Sequence, residues 1–159
     1  MKRSHASIWI IIGWIGLSLA FQNCSTKKSK DEASPRELSS EDASILNNMK
    51  IYCQSCHNPL APSHDALIAP PMAAVKFRYK RQYRSKEEFV EGMTGFLMNP
   101  TQESALMRMA AQNFGVMTLT PLTETETRKI ASFIYDNELE KPTWFAKHFE
   151  EEHGMKWRE

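Results

Sequence analysis

Cys53-Gln54-Ser55-Cys56-His57 constrains this chain more than any other stretch, because it gathers two thiols and an imidazole within five residues. Three chemistries use thiols at this spacing. Two cysteines three positions apart can add to the two vinyl groups of haem, and an imidazole directly after the second becomes the first axial ligand of the iron. A thioredoxin-like dithiol has the same spacing but belongs to a βαβ setting, and no buried-strand pattern precedes Cys53. A structural zinc site wants four ligands, usually as two pairs, yet there is no second cysteine pair and His64, His148 and His153 are scattered. The motif therefore points to haem attached through Cys53 and Cys56, with His57 on the iron.

Attachment of that kind takes place in an exported compartment, and the N-terminus reads as the address. Lys2 and Arg3 precede an apolar run from Ile8 to Phe21, a short basic head and apolar body of the export-signal type. The body is shorter than the ~20 apolar residues that cross a bilayer comfortably, so residues 1–23 are expected to be cleaved; an uncleaved membrane anchor is the alternative. Cys24 stands where the apolar run ends. Its placement resembles a lipoprotein signal in which the cysteine becomes the lipidated first residue, although Asn23 and Phe21 stand where small and aliphatic residues are usual. Lipidation removes the odd thiol from circulation, and the three cysteines then divide as one plus two. Residues 24–37 are polar, charged and aperiodic, which predicts a flexible tether.

The 159 residues suffice for one domain of ~100–150 residues with flanking segments. Six glycines are few, and no alternating apolar and polar run marks a half-buried strand, so the fold class is expected to be all-α. A Ser cap with Glu41 and Asp42 opens a helix whose Ile45, Met49 and Tyr52 form a stripe running into Cys53. Thr123 with Glu126 forms a capping box that opens another, with Ile130, Phe133 and Ile134 as its buried stripe.

Over residues 38–139 the chain resembles the single-haem c-type cytochromes of the small, all-helical class I type. That resemblance implies one covalently bound haem c, a helix before the motif, a proline after it, a late methionine ligand and a closing helix. It places Pro70, in Ala69-Pro70-Pro71-Met72, where the family's proline carbonyl accepts a hydrogen bond from the ligand imidazole, with Pro71 open as the alternative. It places Met117, in the loop between Gly115 and Pro121, as the second axial ligand. Met98 is the runner-up, while Met107 and Met109 lie in a helical pattern and are expected as core filler.

The implied function is one-electron transfer in the exported, periplasm-facing space, by a carrier rather than an enzyme. A haem-based sensor or ligand binder with a weak or absent sixth ligand is the alternative, and a methionine-based carrier of soft metal ions is a third reading that leaves the motif unexplained. Lys76 to Lys86 concentrates six positive charges and three aromatics in eleven residues, a candidate docking segment for an acidic redox partner or a source of hydrogen bonds to haem propionates. A net charge of +1 and an exported setting give no reason to expect nucleic acid. The expected membrane association is through the N-terminal lipid. Residues 140–159 lie outside the cytochrome pattern, and Trp144, Phe145, His148 and Phe149 predict a short amphipathic helix there.

Overall fold

The computed structural model of the protein describes residues 39–158; the expected export signal, Cys24 and the expected tether lie outside the described residues. Six α-helices and a single 3-10 turn are found, with no strand among the described residues. The helices are α1 (Ser40–Tyr52), α2 (Met72–Gln82), α3 (Lys86–Met98), α4 (Arg108–Phe114), α5 (Glu124–Asp136) and α6 (Phe145–His153), with the 3-10 turn at His64–Ala66. The expected all-α class is thus observed.

Short-range chemistry sets several of the helix starts. The Ser39 hydroxyl accepts the Asp42 amide at 3.0 Å, with Glu41 and Asp42 close to the unpaired amides of the first turn of α1. Helices α3 and α5 each begin with a complete capping box, Ser85 with Glu88 and Thr123 with Glu126, so both ends of each pair satisfy amides that the helix leaves free. Helix α2 follows Pro70-Pro71, and the Pro71 carbonyl takes the Ala74 and Val75 amides at 2.9 and 3.2 Å.

Helix α5 is the centre of the core. It packs against α3, α1 and α2, and buries Thr127, Ile130, Ala131, Phe133 and Ile134 along one stripe. Facing it are Met49 of α1, Tyr79 of α2, and Phe89 and Met93 of α3. Phe89 has no exposed surface and meets Tyr79 and Tyr135 edge to face, at 5.8 and 5.1 Å between centroids. Each such aromatic contributes about 1.5–3 kcal/mol by leaving water, plus smaller terms for ring geometry.

The two glycines of α3 have opposite roles. A Cβ on Gly92 would fall 2.3 Å from Cζ and Oη of Tyr83, so the ring lies directly on the helix backbone there, whereas a Cβ on Gly95 meets nothing within 4 Å. Gly92→Ala is therefore expected to destabilise the protein by about 1–3 kcal/mol through overpacking. Gly95→Ala should stabilise it by about 0.5–1 kcal/mol, since alanine costs less chain entropy in a helix. Urea midpoints that move in the same direction for both variants would contradict this packing.

Residues after Leu139 form a second cluster. Phe145 and Phe149 of α6 bury against Ala73 of α2, with Phe77, Trp144 and Trp157 packed around them. The Trp144 indole donates to the Ala61 carbonyl at 2.8 Å, fastening the C-terminal segment to the loop that follows the cysteine motif. The amphipathic helix expected after residue 140 is thus α6, and its apolar face lies on α2.

Candidate functional site

The cysteine motif is a single tight turn at the end of α1. The Cys53 carbonyl accepts the amides of both Cys56 (3.2 Å) and His57 (2.9 Å), which winds the chain back and brings the second thiol and the imidazole to the side of the first. His57 then reaches 13 residues ahead, where its Nδ1 lies 2.5 Å from the Pro70 carbonyl. A carbonyl oxygen only accepts, so Nδ1 carries the proton and Nε2 keeps the free lone pair. Pro70 takes this bond, and Pro71 does not, for a reason visible in α2: the Pro71 carbonyl already serves the amides of that helix's first turn, whereas Pro70 precedes it. Burial lowers the His57 pKa from its usual value and outweighs the Pro70 bond, which acts the other way, so the imidazole is neutral at pH 7.

A cavity of about 290 Å³ opens beside this turn. Cys53, Cys56, His57, Pro70 and Met117, the five positions singled out in the sequence within residues 38–139, all line it. The remaining wall is chiefly apolar, with Val75 and Tyr79 from α2, Leu97 from α3, and Ile130 and Ile134 from α5. Met117 comes from the extended loop between α4 and α5. Gly115, at φ +83°, ends α4 in a conformation that a side chain disfavours, and the Thr123 capping box closes the loop at its far end.

The other methionines fall into place differently from the sequence expectation. Met98 is the last residue of α3, is 40% exposed and accepts a long bond from the Thr127 hydroxyl at 3.7 Å; it is not part of the cavity wall. Met107 does line the cavity, although the helical pattern around it predicted core filler. The helix starts only at Arg108, and none of its residues is buried, so Met109, at 68% exposed, is not core either. Met72 and Met93 also contribute to the wall. Met93 is engaged in the α3–α5 core.

The chemistry of the two thiols bears on the competing readings. Both are free, and burial pushes the Cys53 thiol up to about 11. A dithiol built for disulfide exchange needs the opposite, a thiolate favoured by a depressed pKa. Among the described residues no group of three or more His, Cys, Asp or Glu side chains comes together to hold a metal ion. Two thiols, an imidazole with one free nitrogen and a thioether around an apolar cavity are the groups that a covalently attached haem would use, and they fall short of the four-ligand set of a structural zinc site.

The basic segment is divided. Lys76 is 8% exposed and its ammonium donates to the Asn137 carbonyl at 2.6 Å, joining α2 to the end of α5. Lys86 pairs with Asp136 at 2.5 Å, and Lys80 lies 4.4 Å from the centre of the Tyr135 ring. Arg78, Lys80, Arg81 and Arg84 form no salt bridge with an acidic side chain among the described residues. Reading charge from the sequence alone overstated the surface, because it could not see which cations close the helix bundle.

Compared with known proteins, the chain is 30% identical to an uncharacterized protein of Aquifex aeolicus (strain VF5), in an alignment of 105 positions covering 55% of this chain and 69% of that protein. The chain belongs to the family of that protein. No family model matches the chain. No solved structure matches it either. Membership brings no chemistry with it, so function has to be argued from the cavity. No helix among the described residues is long and apolar enough to cross a membrane.

Proposed function

We propose that the protein is a one-electron carrier of the exported space, a small class I cytochrome c-like domain holding a single haem c. The observation that carries this reading is the Nδ1–H of His57 bonded to the Pro70 carbonyl in a cavity that Cys53, Cys56 and Met117 also line. In this reading Cys53 and Cys56 would hold the haem covalently, and His57 and Met117 would hold its iron. The bound haem supplies reversible one-electron exchange at iron. The chain supplies the rest. Pro70 fixes the imidazole ring and, by accepting a hydrogen bond from its Nδ1–H, makes the free nitrogen a better donor. The thioether of Met117 favours the ferrous state and so raises the potential above that of two nitrogen ligands. Val75, Leu97 and Ile130 give the site an apolar lining.

Were His57 and Met117 both to hold the iron, no position on it would be left for a substrate, which is why a carrier is proposed and not an enzyme. Electron donors and acceptors are proposed to be redox proteins, met in part through Arg78, Arg81 and Arg84. Membrane association is proposed through lipid on Cys24, with the uncleaved N-terminal anchor as the alternative. The test is the absorption spectrum of purified, dithionite-reduced protein with and without carbon monoxide. The expected result is a c-type haem spectrum that carbon monoxide leaves unchanged. Ready carbon monoxide binding would replace the carrier with a ligand-binding haem protein, and the absence of any haem spectrum would refute the reading.

A further inference from the structure

The C-terminal segment helps to build a second cavity, of about 820 Å³, which shares Pro70, Met107, Ala110 and Phe114 with the lining of the first. The volume is in the range of small-molecule sites, ~300–1,000 Å³. One wall is aromatic: Phe77 of α2 and Phe149 of α6 meet edge to face at 5.1 Å, and Trp144 and Phe145 continue that wall. The histidines His64 and His148 lie ring beside ring, 4.6 Å between centroids, with Trp144 edge-on to both. Two guanidiniums also line the cavity, Arg78 and Arg81. Arg81 sits 5.5 Å from the centre of the Phe77 ring, so a cation is held against the aromatic wall. Arg78 has a neutral partner, Gln82, at 3.5 Å. Glu152 is the single carboxylate that lines the cavity, and neither arginine forms a salt bridge among the described residues.

We propose that this cavity binds a flat aromatic anion, a carboxylate or sulfonate on a fused or linked ring system. The ring would lie against the aromatic lining that Phe77, Trp144 and Phe149 give the cavity. The anionic group would pair with Arg78 and Arg81, whose forked donors suit planar oxyanions. An aliphatic ligand would leave the ring geometry unused, and a cation would meet two unpaired guanidiniums. The proposal does not rest on the proposed function, although Pro70, Met107, Ala110 and Phe114 line both cavities. It gives the residues after Leu139 a role that a minimal one-haem domain would not need.

Isothermal titration calorimetry of the full-length exported protein with 1-anilinonaphthalene-8-sulfonate tests it, with neutral N-phenyl-1-naphthylamine as the uncharged counterpart. The expected result is one saturable site for the sulfonate, with the neutral compound at least about tenfold weaker, as loss of a charge-assisted hydrogen bond implies. Arg78→Gln combined with Arg81→Gln should weaken the sulfonate by at least about tenfold and leave the neutral compound unchanged. Both side chains lie at the surface of α2 rather than in its core, and an unchanged circular dichroism melt will show that the variant folds. Equal affinity for the two compounds in the wild-type protein, or full sulfonate affinity in the double variant, would overturn the proposal. So would the absence of a saturable site.

Discussion

Replacing Cys53 and Cys56 together by alanine is expected to abolish covalent haem completely. The two thiols flank one turn at the end of α1, both line the cavity, and they are the free cysteines of the described residues. The remaining thiol, Cys24, lies in the N-terminal segment and is proposed to carry lipid. Haem-stained denaturing electrophoresis reads the result directly, since only a covalent link survives it. Single variants should keep haem through one thioether, at reduced yield. A double variant that still carries haem through denaturation would sink the assignment of the motif. His57 should remain bonded to Pro70 in that variant, because neither thiol takes part in the bond. Noncovalent haem retained in the native double variant would therefore fit the account and separate attachment from ligation.

Met117→Ala is expected to leave haem attached but to open the sixth position. Three consequences follow together: loss of the weak far-red charge-transfer band of methionine-ligated ferric haem, a lower potential, and binding of carbon monoxide by the reduced protein. The structure sharpens the control. Met98 was the nearest rival in the sequence, but it lies outside the cavity wall and bonds Thr127, so Met98→Ala should leave the band intact. Met107 is the stricter comparison, because its side chain does line the cavity. It immediately precedes α4, whereas Met117 belongs to a loop bounded by Gly115 and the Thr123 cap, the kind of segment that can present a thioether without distorting a helix. Met107→Ala should therefore retain the band. If Met107→Ala erases it and Met117→Ala does not, the ligand is Met107 and the cytochrome reading stands with a corrected residue.

What the sequence revealed and what it hid follow from the range of the interactions involved. The Ser39 cap, the Thr123 capping box and the Ile130, Phe133 and Ile134 stripe are local patterns, and each is found where those patterns put it. The Cys53-Cys56-His57 turn is local as well. Choosing between Pro70 and Pro71 required knowing where α2 begins, since its first turn uses the Pro71 carbonyl. The fate of Lys76 was hidden because its partner, the Asn137 carbonyl, lies 61 residues away. Met109 misled for another reason. Its neighbours have helical spacing, but a seven-residue helix with no buried side chain gives that spacing nothing to pack against. The second cavity was beyond sequence reading altogether, because its arginines come from α2 while Phe145 and Phe149 of its aromatic wall come from α6.

The central claim is that Cys53 and Cys56 carry a haem, and the intact mass of the denatured protein tests it most directly. The account predicts a chain heavier by one haem, with the added mass mapping by proteolysis to the peptide that contains Cys53 and Cys56, and no free thiol at either position. An unmodified mass with both thiols open to alkylation, in protein made by cells that attach haem to other exported proteins, would contradict it.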